Sequence, residues 1–293
     1  MKALFQGMGV ALATPFTAEG INLDALDELI DFQLLNGAAA LVACGTTGEP
    51  STMTEKEIDS VIAATVARVN GRVPVIAGTG GNDTRKTMAA AKRAKALGAD
   101  AQLCVTPYYN KTTQKGLIAH YTALAEEGSL PVIIYNVPAR TGLNMLPGTL
   151  KALCAHENII AMKEASGDIA QCADMVRLCG EDLAFYSGND DVVLPSMALG
   201  FDGVISVAGN IVPKEMSELV KLCLNGDFTG ARKLQFKLDP LIDALFSEVN
   251  PIPIKTALNL IGFHMGAFRL PLCDMEETHL ALMKNEMKKV GLI

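Results

Sequence analysis

Short apolar runs rich in Val, Ile and Ala alternate with longer segments of helical period, and the alternation repeats about eight times along this chain. Strands are expected near 9–14, 39–44, 73–78, 101–105, 132–136, 159–164, 183–187 and 203–207. Helices are expected near 23–36, 54–69, 84–97, 114–127, 147–155, 169–179, 190–199 and 213–224. Asn22, Thr52 or Thr54, and Asp83 stand where N-caps belong. Strands that are apolar throughout need cover on both faces, which a parallel sheet with helices outside it provides. About eight βα units in roughly 225 residues suit a closed (β/α)8 barrel, the TIM barrel of the α/β class. An open doubly wound sheet is the alternative. Its dinucleotide fingerprint is missing: Gly78-Thr79-Gly80-Gly81-Asn82-Asp83 lacks the third glycine and reads as a plain βα turn. Beyond about 226 the pattern loses its strands. Helical periods run near 227–247, 251–263 and 276–290, with Asn250-Pro251-Ile252-Pro253 and Pro271 as punctuation. The expected organisation is a catalytic barrel over 1–226 and an α-helical extension over 227–293.

Charge narrows the function classes. With 25 Lys+Arg against 32 Asp+Glu the net charge is -7, and no basic run offers the clustered cations that a nucleic acid requires. No apolar run reaches the roughly 18 residues of a membrane span. Lys2 and the apolar stretch to Ala11-Leu12-Ala13 imitate a signal peptide, but Gln6, Gly7 and Gly9 interrupt it and cleavage would remove the first strand. The seven cysteines are scattered and odd in number, which argues against a disulfide framework; Cys172 and Cys179, a heptad apart, read as core. His120, His156, His264 and His279 have no metal-ligand spacing. A cytoplasmic protein without metal or organic cofactor is the expectation.

The chemistry centres on Ile159-Ile160-Ala161-Met162-Lys163-Glu164. A lysine in so apolar a strand is costly unless it is paired or functional. Alternation puts Ile159, Ala161 and Lys163 on one face, and the end of a barrel strand opens on the catalytic mouth. Desolvation there favours the free amine, a nucleophile for carbonyl carbon. The plain alternative is an ion pair with a neighbouring carboxylate. Tyr135 lies at matching depth on the preceding strand, where a phenol can pass protons to and from a carbinolamine. Arg140, in the loop after it, suits a carboxylate, although a solvated arginine explains it as well. In Gly45-Thr46-Thr47-Gly48-Glu49 a tight turn with two hydroxyls makes a seat for a small carboxylate, with Glu49 as a buried organiser. Thr106-Pro107-Tyr108-Tyr109-Asn110 puts two aromatics at the same mouth, for substrate or for a second subunit. Gly188, after strand seven, and Ile205, in strand eight, lie at the same end.

These motifs, with Tyr135-Asn136-Val137-Pro138, Arg140-Thr141 and Lys163-Glu164, resemble the dihydrodipicolinate synthase family of the pyruvate-dependent class I aldolases, over essentially the whole chain. The resemblance implies a lyase that condenses pyruvate with L-aspartate 4-semialdehyde at the head of diaminopimelate and lysine biosynthesis. Lys163 would form the Schiff base and Tyr135 would move protons. Thr47 and Tyr109 would complete a relay with Tyr135, Tyr109 entering from a neighbouring subunit. The Thr46-Thr47 backbone would hold the pyruvate carboxylate, Arg140 the semialdehyde carboxylate, and Gly188 and the Ile205 carbonyl would line the pocket. The implied assembly is a homotetramer built as a dimer of dimers, with no cofactor beyond the covalent pyruvate imine.

Two other functions share part of this set. A sialic acid or 2-keto-3-deoxy sugar acid aldolase would keep Lys163 and Tyr135 without needing Arg140 and Tyr109 together. A keto-acid-binding regulatory barrel would not need the complete set. The resemblance also implies a feedback pocket for lysine at Pro50, Ser51, Glu55, Ile58, Asn82, Lys86 and Tyr108. Ile58 and Lys86 replace the histidine and glutamate of sensitive members, so inhibition by L-lysine is expected to be weak or absent.

Overall fold

A computed structural model describes residues 3–127 and 129–293. Lys2, where the leader-like stretch begins, lies outside the described residues. Eight parallel strands close into a barrel in sequence order: β1 (Gly7–Ala11), β2 (Ala40–Ala43), β3 (Val75–Gly78), β4 (Ala101–Val105), β5 (Val132–Asn136), β6 (Ile159–Glu164), β7 (Ala184–Ser187) and β8 (Gly203–Ser206). The helices are α1 (Leu23–Leu35), α2 (Glu55–Val69), α3 (Thr84–Ala96), α4 (Gln114–Glu127), α5 (Pro138–Thr141), α6 (Pro147–Leu153), α7 (Ile169–Cys179), α8 (Val193–Ala198), α9 (Pro213–Leu224), α10 (Phe228–Leu245), α11 (Ile252–Leu260) and α12 (Glu277–Lys289). The TIM barrel expected from the alternation is the fold, and three further helices follow it.

Local chemistry sets the boundaries. The Asn22 side chain accepts from Ala25 N–H, and Asp83 accepts from Arg85 and Lys86 N–H. Of the two threonines before α2, Thr54 is the cap, in a reciprocal box with Glu57. Strand β1 ends earlier than expected because the Ala13 N–H turns to the Asn210 side chain at 3.2 Å. The segment expected as one helix over 190–199 opens as a 3-10 turn, Asp190–Val192. There the buried Asp190 carboxylate is committed to the Val207 and Ala208 N–H groups at 3.0 and 2.8 Å. The loop after β5 holds the short helix α5, started by Pro138 at its first position and ended by Gly142 at φ 66.

Two apolar layers result. An outer one lies between strands and helices and includes Cys172 and Cys179, which pack in the core as read from their spacing. The inner one fills the barrel with Phe5, Val42, Ile76, Leu103, Ile133, Tyr186 and Ile205. Tyr186 stacks on Phe5 with centroids 4.2 Å apart and donates its hydroxyl to the Phe5 carbonyl. Strand β6 departs from simple alternation. Its register against β5 shifts between Ile159 and Ala161, a β-bulge. Ile159 therefore packs in the outer layer while Ala161 faces inward. The expectation that Ile159 shares the Lys163 face is corrected by that extra residue. Among the described residues, no helix is long and apolar enough to cross a membrane.

Helix α10 packs on α8, α9 and α12. The chain then returns to the barrel mouth, so residues from the far end of the sequence reach the loops after β2 and β5.

Candidate active site

Lys163 and Tyr135 are register partners on β6 and β5. Both face inward, and the Lys163 amine lies 4.4 Å from the centre of the Tyr135 ring. The residues after them fix this pose. Asn136 Nδ2 donates to Glu164 Oε2 at 3.0 Å and to Asn144 Oδ1 at 2.8 Å, and Ser166 N–H donates to Glu164 Oε1 at 2.6 Å. The strand ends are laced on their outer face, so the inner face presents Tyr135 and Lys163 in one orientation. Glu164 points away from the barrel centre and is no counter-ion for its neighbour. Burial raises its carboxyl pKa, opposed by hydrogen bonds from Ser166 and Asn136.

The Lys163 side chain is 4% exposed. Burial pulls its pKa down to about 8; the Asp190 charge opposes that fall and Arg140 adds to it. Among the described residues, no carboxylate lies within ion-pair distance of it, and Asp190 acts only through its charge. The ordinary value is 10.5, so roughly a tenth of the amine is neutral at pH 7, against less than a thousandth for a solvated lysine. Tyr135 moves the other way. Burial pushes its phenol up to about 12, with Arg140 and a hydrogen bond to the Thr46 hydroxyl pulling it down. It stays protonated and can donate at neutral pH.

A cavity of about 60 Å³ opens above this pair, lined among others by Thr46, Thr47, Arg140, Gly188, Asn189 and Asn250. Thr46–Gly48 is a single 3-10 turn after β2. It sends the two hydroxyls in different directions: Thr46 meets Tyr135, whereas Thr47 Oγ1 accepts from Asn250 Nδ2 at 3.0 Å. The relay threonine expected at position 47 is thus not the one on the phenol. Gly188 donates its N–H to the Glu164 carbonyl at 2.7 Å. A Cβ there would lie 3.0 Å from Lys163 Cε and 2.6 Å from Ala165 Cβ, so only glycine leaves the lysine its place. Arg140 sits on α5 at the rim and donates to the Asn250 carbonyl at 3.1 Å.

Two expected residues stand apart. Ile205 is fully buried in the inner layer, paired with Gly9, and Val207 rather than Ile205 lines the cavity. Tyr109 is 92% exposed at φ 66 and lines neither the small cavity nor its neighbour. That neighbour, about 460 Å³, shares Thr46, Tyr135, Arg140 and Asn250 with the first and extends past Tyr108, Ser51 and Ile58. Asn250 was read from the sequence only as punctuation before a proline. It is 6% exposed, holds both Thr47 and Arg140, and leaves its own Oδ1 without a hydrogen-bond partner among the described residues. No spacing signal could have moved a residue of the helical tail into the mouth of the barrel. Among the described residues, no group of three His, Cys, Asp or Glu side chains is placed to hold a metal ion.

Known proteins resemble this chain over nearly their full length. The family model described as Dihydrodipicolinate synthetase family matches residues 4–290. A 4-hydroxy-tetrahydrodipicolinate synthase of Thermoanaerobacter sp. (strain X514) is 52% identical over 291 residues, covering 99% of this chain and 98% of the relative. One of Acetivibrio thermocellus is also 52% identical, covering 100% and 99%. The crystal structure of dihydrodipicolinate synthase from Thermotoga maritima superposes with a TM-score of 0.97 at 43% identity, covering 99% of this chain and 100% of that one. By its sequence and its barrel, this chain belongs to the dihydrodipicolinate synthetase family.

Proposed function

We propose that this protein condenses pyruvate with L-aspartate 4-semialdehyde to 4-hydroxy-tetrahydrodipicolinate through an imine on Lys163. The observation that carries the chemistry is the unpaired Lys163 amine, buried 4.4 Å from the Tyr135 ring centre beneath a cavity with Thr46, Thr47 and Arg140 at its wall.

The neutral Lys163 amine attacks the keto carbon of pyruvate. Tyr135 delivers a proton to the carbinolamine oxygen, which leaves as water, and an imine remains. The turn N–H groups of Thr46 and Thr47 receive the pyruvate carboxylate. The iminium withdraws electrons, the methyl group loses a proton, and the resulting enamine carbon attacks the aldehyde of the second substrate. Arg140 holds that substrate's carboxylate. Its amine then adds to the imine carbon, closes a six-membered ring and expels Lys163 as the free amine. Thr46, in hydrogen-bond contact with Tyr135, takes the relay place that the resemblance gave to Thr47. Tyr109 serves a neighbouring copy: its exposed position suits donation across an interface and not its own cavity. Gly188 keeps the lysine channel open, and Ile205 supports it from below by packing. The homotetramer implied by the resemblance supplies that neighbour.

Reduction with borohydride in the presence of pyruvate tests the nucleophile. The wild-type chain should gain one reduced pyruvyl mass and Lys163→Ala none. Equal labelling of the two proteins would overturn the assignment. A sugar-acid aldolase is the weaker reading, because Arg140 at the rim and full-length similarity to 4-hydroxy-tetrahydrodipicolinate synthases both favour the semialdehyde.

A further inference from the structure

The carboxylate seat is clasped by the helical extension at several points, and one of them is a buried ion pair. Lys255 on α11 reaches Glu49 Oε1 at 2.8 Å, with side chains 0% and 1% exposed. Its amine also donates to the Ala267 carbonyl at 3.1 Å and sits 4.0 Å from the centre of the Phe16 ring. Glu49 directly follows the Thr46–Gly48 turn, adopts φ 56, and closes the turn by donating its N–H to the Thr46 carbonyl at 3.2 Å. One Lys255 side chain thus ties together the seat, the loop after β1 and the loop after α11.

As a stability device this pair is poor. Two charges lose their hydration for one short contact, and well-packed apolar residues of similar size commonly do as well or better. Glu49 Oε2 is buried without a hydrogen-bond partner among the described residues. The same carboxylate does determine geometry. With its backbone in the left-handed region and its side chain anchored from α11, Glu49 gives the preceding turn one conformation, in which Thr46 and Thr47 line the cavity and the Thr46 hydroxyl meets Tyr135. A seat ordered before the ligand arrives spares the ligand that ordering cost.

We propose that Lys255 is a positioning residue for the keto-acid carboxylate. Acting through Glu49, it presets the Thr46-Thr47 turn, so that the extension governs affinity for pyruvate while Lys163 and Tyr135 govern turnover. The inference rests on the pyruvate reading above. Its test is the pyruvate concentration that half-saturates borohydride trapping, measured alongside KM and kcat in full-length protein. In Lys255→Met half-saturation and KM should rise about tenfold with kcat within about twofold, the pattern of lost uniform binding. Met283, fully buried on α12, supplies the control. Met283→Ala should lower the melting temperature and leave half-saturation at the wild-type value, because its helix packs on α10 and α11. Should Lys255→Met not fold, Glu49→Gln decides. It keeps the shape and a hydrogen bond but removes the charge, and a rise of about threefold or more supports the proposal. Wild-type half-saturation in the folded variant overturns it. If wild-type protein itself traps no pyruvyl group, the pyruvate reading falls and this inference with it.

Discussion

Among the described residues two lysines are buried, and their surroundings differ in almost every respect. Lys255 has a carboxylate at 2.8 Å, a carbonyl at 3.1 Å and an aromatic face at 4.0 Å. Its pKa is still lowered, chiefly by burial, but Glu49 opposes the fall through both its hydrogen bond and its charge. Lys163 has a tyrosine ring and a cavity. Burial takes its pKa down to about 8, and the Asp190 carboxylate that opposes this is held elsewhere, by backbone N–H groups. The difference separates what a buried amine can do. Supplied with a carboxylate, it stays an ammonium and fixes structure. Without one it gives up its proton within reach of neutral pH and becomes a nucleophile.

The largest effect that sharpens this contrast concerns the partner of Lys163. Tyr135→Phe keeps the ring 4.4 Å from the amine and removes the proton carrier. Turnover should fall by about 10²–10³, the range for loss of a positioned general acid-base, while trapped pyruvate at long times is retained. Steady-state kinetics beside slow trapping checks both halves. Unchanged turnover would leave Tyr135 as packing. Thr46→Val should then cost more turnover than Thr47→Val, since only Thr46 contacts the phenol.

Stability should respond in opposite directions. Lys163→Met removes a group whose folded pKa, about 8, lies below its ordinary 10.5. The unfolded chain binds that proton more tightly, so the lysine opposes folding fully below pH 8, and the penalty disappears as pH rises to 10.5. At pH 7 its removal should stabilise the protein by on the order of 3 kcal/mol at most. Lys255→Met instead strands the Glu49 carboxylate and should destabilise by about 3–5 kcal/mol. Urea unfolding of both variants at pH 7 and pH 10 tests the pair. Two losses of similar size would erase the distinction between them.

The contrast also explains how far the sequence could be read. The strand around Lys163 exposed its purpose because an amine among Ile, Ala and Met is anomalous there. Lys255 carried a similar signal, in Pro251-Ile252-Pro253-Ile254-Lys255, but in a helical tail that draws no attention to the barrel mouth. Its partner is 206 positions earlier, and no local period encodes such a contact. Ile159 was placed on the wrong face because a bulge inserts a residue without leaving a mark in the hydrophobic pattern. Thr47 was expected beside the phenol and Thr46 stands there, because hydroxyl direction depends on the 3-10 turn, which neighbouring threonines do not disclose. Barrel class, by contrast, follows from repetition, which averages such local errors away.

A smaller effect is the pH dependence of imine formation. The free amine is the reactive form, so the initial trapping rate at low pyruvate should climb about tenfold for each pH unit below 7 and level off just above 8. A plateau already reached at pH 6.5 would mean a far stronger desolvation, and one delayed beyond pH 10 a solvated lysine. Tyr135, held near 12, stays protonated throughout that range and contributes no second limb.

The smallest expected effect applies the same rule to an amine that arrives as a ligand. Free L-lysine brings an ammonium, which settles only where a carboxylate meets it. Beside the larger cavity, Glu55 is engaged by Arg93 Nη1 at 3.4 Å, and Arg93 also reaches Asp59. Arg93 and Ile58 line the cavity. Asn82 turns its amide to the Tyr108 carbonyl at 3.3 Å. Lys86 is exposed in the first turn of α3, where another cation is repelled. Initial rates should therefore stay within about twofold at millimolar L-lysine, because Glu55 is engaged by Arg93, Glu49 is paired with Lys255, and Lys86 repels a second ammonium. Inhibition at micromolar lysine would contradict this account. Lys86→Glu with Ile58→His should increase sensitivity by supplying the missing acceptor, and a double variant as indifferent as the wild type would show that charge at these positions is not what decides lysine binding.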